Sequence, residues 1–533
     1  MQRISPQTLH AWLKDDQELA LFDGREDGEF GAAHLFWAVP CGLSNKEIRA
    51  RALLPRLAAR ICCVDGGEGL AEQLASWLET IGCTAVAVLD GGTPAWRRAG
   101  YELFSGMNVP SKAFGEWVEH HYGTQSVNAA ELSQWLESNR NMVVLDSRTH
   151  EEFARMSIPT GISVPGGELV YRIAEIAPDP KTLVVVNCAG RTRSILGAES
   201  LRRVGIPNPV FALRNGTMGW ELAGFHCARG STDRFAPGTP KTLSVALERA
   251  KRFAEDCGVG VIGPFDLERF EQDPDRSLYV LDVRDPSEFR LQHRRGSRNA
   301  PGGQLVQATD AWIGVRNARI VLVDDTGVRA RMAGSWLRQM GYRDVFVAEG
   351  ALDSSVSAGR MPAPVPELQA RAASIDVSGL VALLDRGEGT VVIDLARSID
   401  FREAHVPGAL WGVRSRLARL QPQLKDATHV VVTSPDGIKA RLAVEEVKDL
   451  TSAEVAVLNG GTEAWRAFGR PLVKDHTNPP DEACIDCYLR PYDRNSGVEA
   501  AMNAYLAWEI ELVNQIRRDD TIAFGVGQPE ATG

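Results

Sequence analysis

The chain has 533 residues, 44% of them apolar and 24% charged, with a net charge of −10. At roughly 100–200 residues per domain it holds several compact units, and neither a disordered nor a fibrous protein fits this composition. The acidic balance argues against a protein built to grip a phosphate backbone, so no nucleic-acid partner is expected. The N-terminal stretch Ser5 to Ala20 is polar and helix-like, with no basic n-region or apolar h-region, so a cytoplasmic location is expected. The longest apolar runs, Thr182 to Val186, Ile320 to Val323 and His429 to Val432, have strand length and fall well short of the ~20 residues of a membrane helix. No membrane partner is expected. Nine scattered cysteines read as reduced thiols rather than a disulfide scaffold.

Two signatures recur in step along the chain. The first is an apolar strand ending in an aspartate and leading to an acidic-Phe pair: LFDGREDGEF ending at Phe30, LDSRTHEEF at Phe153, LDVRDPSEF at Phe289 and IDLARSIDF at Phe401. Its anchors, Asp23, Asp146, Asp282 and Asp394, are separated by 123, 136 and 112 residues. The second is VLDGGTPAW ending at Trp96, ALRNGTMGW at Trp220, an eroded VAEGALDSS at Ser355 and VLNGGTEAW at Trp465. Solenoid repeats run about 20–50 residues, so this longer period means tandem whole domains.

Copy two shows the internal pattern. A strand Met142 to Leu145 leads to a short helix around Glu151 to Met156, a Pro165-Gly166-Gly167 loop and a strand Leu183 to Asn187. A helix Ser194 to Val204, a strand Pro209 to Leu213 and a helix carrying Trp220 follow. Alternating strands and helices imply a parallel sheet covered on both faces. The expected fold is α/β, with four such tandem domains at 1–105, 125–230, 258–357 and 373–475, and a C-terminal tail, 476–533. Ser105 to Gln125, Gly230 to Lys241 (with Pro237 and Pro240) and Ser357 to Pro366 (with Pro362, Pro364 and Pro366) read as linkers. In the tail, Gly497 to Arg518 reads as a docking helix.

In such sheets the site lies beyond the carboxyl ends of the strands, at helix N-termini. Aligning the copies on the strand before this loop and the helix after it puts Asp65, Cys188, Asp324 and Ser434 at one position. Only copy two has a thiol there, in the run Cys188-Ala189-Gly190-Arg191-Thr192-Arg193-Ser194. A loop wrapping a sulfur at a helix N-terminus turns backbone N–H groups toward it, and these with Arg191 and Arg193 favour an anion. Copies one, three and four, without that thiol, are expected to be non-catalytic. Asp146 with Arg148 reads as an ion pair supporting the loop.

At these residues the chain resembles the rhodanese family of sulfurtransferases, in Asp146-x-Arg148 with Glu152-Phe153, Ile158-Pro159, Pro165-Gly166-Gly167, the Cys188 loop and Asn215 to Trp220. The resemblance implies thiosulfate-type sulfurtransferase activity through a Cys188 persulfide, with Ala189, Gly190, Arg191, Thr192, Arg193 and Ser194 binding substrate. It implies no cofactor and no metal. The partners are a small-molecule sulfur donor and acceptor, with an acceptor protein or thiol and a homodimer as further options. A phosphatase cradle has five residues between cysteine and arginine; Cys188 and Arg193 have four, which favours sulfur over phosphorus chemistry. Glu152 stands where two-domain relatives carry a substrate-binding arginine, so mercaptopyruvate loses ground as donor. Gly190 and Arg191 are exchanged relative to the commoner loop order, which leaves donor specificity open.

The remaining cysteines read as follows. Cys62 and Cys63 belong to a core strand, and Cys227 is structural or a sulfur relay. Cys484-Ile485-Asp486-Cys487 reads first as a pair of structural or incidental cysteines, with the spacing of a redox dithiol or persulfide relay, or of half a zinc site with His476 as a third ligand at most, as the alternatives. Three thiol-free copies of four also suit a binding or scaffold protein, or a sulfane-sulfur sensor, as the alternative function.

Overall fold

The computed structural model describes residues 1–525 except 237, 354–355, 360–364, 366–367, 369–371 and 388. Pro237, Ser355, Pro362, Pro364, Pro366 and the last eight residues of the tail, on which parts of the linker, repeat and tail readings fall, lie outside the described residues. Each copy forms a parallel sheet of the same order. In copy two the strands run Ser126–Val127, Val210–Leu213, Leu183–Asn187, Met142–Asp146, Ile162–Ser163 across the sheet. The middle strand pairs residue for residue from Met142↔Leu183 to Asp146↔Asn187, so Asp146 and Asn187 end side by side. Val184, Val185 and Val186 are buried, because helices cover both faces and the strand needs no polar side. The sheet of copy one gains Val315–Arg316 of copy three as an antiparallel edge, and one apolar core runs through copies one, two and three. Among the described residues no helix is long and apolar enough to cross a membrane.

Copies two and three face each other through equivalent residues. Trp336 donates its indole N–H to Ser200 Oγ at 2.9 Å, and both lie the same distance past the loop position. Gly166-Gly167 meets Gly302-Gly303 backbone to backbone. Arg329, fully buried, binds Asp324, Asp325 and Glu288 of its own copy and Glu168 of copy two. Removing one partner of a buried ion network costs about 3–5 kcal/mol. Arg329→Leu is therefore expected to lower the midpoint of denaturant unfolding by a corresponding amount, because it strands four carboxylates. Copies one and four join in a similar way, through Arg414 to Glu47 at 2.8 Å and Arg416 to Glu29 at 2.8 Å.

One stretch read as a linker holds a helix instead, and a second leads directly into one. Ser105 to Gln125 contains the helix Val109–Tyr122, with Val109, Ala113, Phe114 and Val118 fully buried. Its apolar residues lie at helical spacing, a signal that outweighs the turn-forming residues around it. Gly230 to Lys241 runs into the helix Pro240–Asp256, which buries Ala246, Ala250 and Phe253 in the shared core. The tail is a strap over all four copies. Asp481 meets Arg402 of copy four, Gln515 donates to Leu103 O of copy one, and Gly525 N donates to Gln339 O of copy three. Its helix Val498–Ile516 lies on the cysteine loop of copy two.

A third repeated feature is a Phe-His stack four residues apart: Phe30–His34, Phe289–His293 and Phe401–His405, with ring centroids 3.8–4.0 Å apart. Copy two has Ser157 there. Burial pushes His34 down to about 4 from an unfolded value of about 6.5. The unfolded chain then binds the extra proton, so this contribution to stability is full above about pH 6.5 and is lost as pH falls through about 4. Unfolding of wild type against His34→Gln across that window should show a smaller loss in the variant, the difference being the share of His34.

Candidate active site

The strand Leu183–Asn187 delivers Cys188 to the sheet's carboxyl edge, where neighbouring backbone and side chains fix it. Asn187 Nδ2 donates to Asp146 Oδ2 at 2.8 Å, while Ser147 donates from N and Oγ to Asn187 O at 2.9 and 2.8 Å. Arg148 grips Asp146 with two hydrogen bonds, 2.8 and 2.7 Å, and also donates to Met156 O. The same pair recurs as Arg25 with Asp23 and Arg284 with Asp282; copy four has Ala396 in place of the arginine. From the other side, Thr217 N donates to Cys188 O at 2.9 Å and Met218 N to Ala189 O at 3.0 Å. Gly216 makes this approach with φ +55°, and a Cβ there would stand 2.2 Å from Cys188 O.

Cys188 is 2% exposed, yet its surroundings are polar. Its Sγ donates to Ser194 Oγ at 3.5 Å, and Ser194 Oγ donates to Arg191 O at 2.8 Å. Arg193 sits beside it, paired with Glu152 at 2.7 and 2.8 Å. Burial opposes the charge on Arg193, but Glu152, then Cys188 and Asp146, outweigh it and push the guanidinium up. Burial likewise works against the Glu152 carboxylate, and Arg193 with Arg148 more than reverses that, holding it well below the usual range. Arg191 turns to the helix Val109–Tyr122, where Glu116 takes it in two hydrogen bonds of 2.7 Å and Glu119 in a third, with Asn215 Oδ1 at 3.3 Å. Of the two arginines read as facing the sulfur, Arg193 lies near it and Arg191 braces the loop from outside.

The thiol-free copies show how the loop holds a negative group. Asp65 accepts from Gly67 N, Gly69 N and Ala71 N at 2.8, 2.9 and 3.0 Å. Asp324 accepts from Thr326 N, Arg329 N and Ala330 N at 3.2, 2.8 and 3.3 Å, and Ser434 Oγ from Ala440 N at 3.3 Å. The equivalents of the copy-one donors in copy two are the amides of Gly190, Thr192 and Ser194.

A family model described as "Rhodanese-like domain" matches residues 5–99, 128–223, 266–358 and 377–468. The chain belongs to the rhodanese family. Over 99% of its length it is 45% identical to a solved thiosulfate sulfurtransferase from Pseudomonas aeruginosa, all of which is covered, with a TM-score of 0.93. A rhodanese-related protein from Thermoplasma volcanium is 27% identical over 20% of this chain and 97% of its own, with a TM-score of 0.17. A search of curated proteins returned no match.

Around the rhodanese-like loop of copy two, the structure adds groups that motif reading missed. Thr192 packs against Gly115, and Gly190 faces Glu509 and Tyr505 of the tail helix. Glu509 is 1% exposed and pairs with Lys112 at 2.8 Å, while Lys112 also meets Tyr505. Burial opposes the Lys112 charge, but Glu509 and Tyr505 outweigh it and push the ammonium up. Glu116 and Glu119 fall in a stretch read as linker and Glu509 lies far along the chain, so only their acidic character was visible. Of the other thiols, Cys62 and Cys63 are fully buried, and burial pushes both up. Cys227 is partly exposed, and burial pushes it up to about 12. His476 pairs with Glu403 at 3.5 Å, and among the described residues no group of three or more His, Cys, Asp or Glu could hold a metal.

Proposed function

We propose that this protein is a sulfurtransferase that moves sulfane sulfur from a donor such as thiosulfate to cyanide or a thiol through a persulfide on Cys188. The Cys188 thiolate attacks the outer sulfur of thiosulfate, the donor S–S bond breaks, and sulfite leaves with the electron pair. The acceptor then takes the outer sulfur and the thiolate is restored, a covalent two-step transfer. The observation that carries this reading is the set of amide hydrogen bonds to Asp65 and Asp324. A carboxylate oxygen stands two bonds from Cβ, as does the outer sulfur of a persulfide, which supports that sulfur resting at the equivalent place in copy two. Gly190, Thr192 and Ser194 supply the amides, Ala189 the span between them, Arg193 the nearby positive charge, and Arg191 the brace. Asp146 and Arg148 hold the strand end beneath. Glu152 is spent on Arg193, which suits a small inorganic donor better than a carboxylate-bearing one such as mercaptopyruvate.

The 45% identity to a thiosulfate sulfurtransferase over the whole chain supports the same reading. The three thiol-free copies support the loop and its interfaces. Purified protein is expected to form thiocyanate from thiosulfate and cyanide with double-reciprocal plots that run parallel. Turnover that needs donor and acceptor bound together, or none with any sulfane-sulfur donor, would refute it.

A further inference from the structure

The tail turn Cys484–Cys487 has no part in the reaction above. The chain reverses at Ile485 and Asp486, so the cysteines occupy the two ends of a turn, with Cα atoms within about 7 Å. A disulfide needs about 4.4–6.8 Å. The turn is wedged between copies one and four. On one side Gly28 N donates to Ile485 O at 2.9 Å, and a Cβ on Gly28 would lie 2.7, 2.9 and 3.0 Å from the carbonyl oxygens of Ile485, Cys487 and Cys484. On the other, Ser398 N donates to Asp486 Oδ2 at 2.8 Å and Ser398 Oγ lies 3.1 Å from Cys487 Sγ. Cys484 Sγ donates to Pro480 O at 3.4 Å, at the other end of the turn. Both thiols are free and buried, while Ile485 and Asp486 at the tip are partly exposed. Burial pushes both thiols up, Cys487 to about 12. A dithiol whose thiolates are poorly stabilised is the stronger reductant.

We propose that Cys484 and Cys487 form a dithiol site that reduces sulfane sulfur to sulfide and is itself oxidised to a disulfide. The ligand is a persulfide or polysulfide, RSSH. One cysteine thiolate takes its outer sulfur, and RS⁻ leaves as the donor S–S bond breaks. The second cysteine attacks the inner sulfur of the new protein persulfide, the Cys484–Cys487 bond forms, and hydrosulfide leaves with the electron pair. In sum, RSSH and two thiols give RSH, H₂S and one disulfide, with two electrons passing from the cysteines to the transferred sulfur. The donor class is that of the proposed reaction, but Cys188 is not required.

The test uses the full-length, pre-reduced Cys188→Ser protein with glutathione persulfide. Free thiols are alkylated, peptides are analysed by mass spectrometry, and sulfide is measured against the same protein carrying Cys487→Ser as well. The expected result is a Cys484–Cys487 disulfide with about one extra equivalent of sulfide per chain, both lost in the double variant. Cys487→Ser alone, with Cys188 present, should keep thiocyanate formation within about twofold of wild type, which reports intact folding. Recovery of both cysteines as alkylated thiols, of a persulfide that persists on one of them, or of a mixed disulfide with glutathione overturns the proposal. None of these outcomes touches the Cys188 reading, which the thiosulfate–cyanide assay tests separately.

Discussion

Cys188→Ser is expected to bring thiocyanate formation down to the uncatalysed background while leaving the fold intact. Removal of a covalent nucleophile costs on the order of 10⁶ in turnover where it has been dissected, and a hydroxyl cannot carry a persulfide. The fold should tolerate the change because this chain already places a serine in the same cradle. Ser434 of copy four is fully buried and accepts the same amide, Ala440 N at 3.3 Å, that Ser194 N offers in copy two. Circular dichroism and the unfolding midpoint are therefore expected to match wild type. Residual turnover within tenfold of wild type would move the chemistry to another cysteine.

Gly216→Ala is expected to cut kcat/KM for thiosulfate about 100-fold, the scale of a roughly 1 Å misplacement of reacting groups. The new Cβ would lie 2.2 Å from Cys188 O, 2.8 Å from Cys188 C and 2.9 Å from Ala189 C. All three are backbone atoms, so the clash is relieved only by shifting the loop that carries the nucleophile. A φ of +55° adds strain for any residue with a Cβ. Copy four supplies the control: Gly461 has φ +62° and its Cβ would lie 2.0 Å from Ser434 O. Gly461→Ala should cost comparable stability and leave turnover nearly unchanged, which separates displacement of the Cys188 loop from general damage. Equal loss of turnover in the two variants would show that the loop position is not what matters.

The repeat and the loop were legible because their chemistry is local. The strand read as Leu183 to Asn187 matches the structure at both ends, while Met142 to Leu145 and Pro209 to Leu213 each differ by one residue from Met142–Asp146 and Val210–Leu213. The helix start was misplaced by two residues, Ser194 against Thr192, because the loop passes into the helix without a capping side chain. The eroded third signature is also explained: copy three has Ala351 where Gly216, Gly92 and Gly461 stand, so that glycine-dependent contact is absent there. What could not be read was the partner of each charge. Arg191 and Arg193 look alike in sequence, and only the fold brings Glu116 and Glu119 to one and Glu152 to the other. Helical spacing marks the helix Val109–Tyr122 and the tail helix Val498–Ile516, but the surfaces they cover belong to distant parts of the chain, which no local pattern encodes.

Sulfur loading of Cys188 is the direct measurement. After wild-type protein is treated with thiosulfate alone and the excess removed, peptide mass spectrometry should find a one-sulfur increase on the Cys188 peptide. Cyanide should then discharge it, giving one equivalent of thiocyanate. An unmodified Cys188 in protein that turns over normally, or the added sulfur on a different cysteine, would contradict this account.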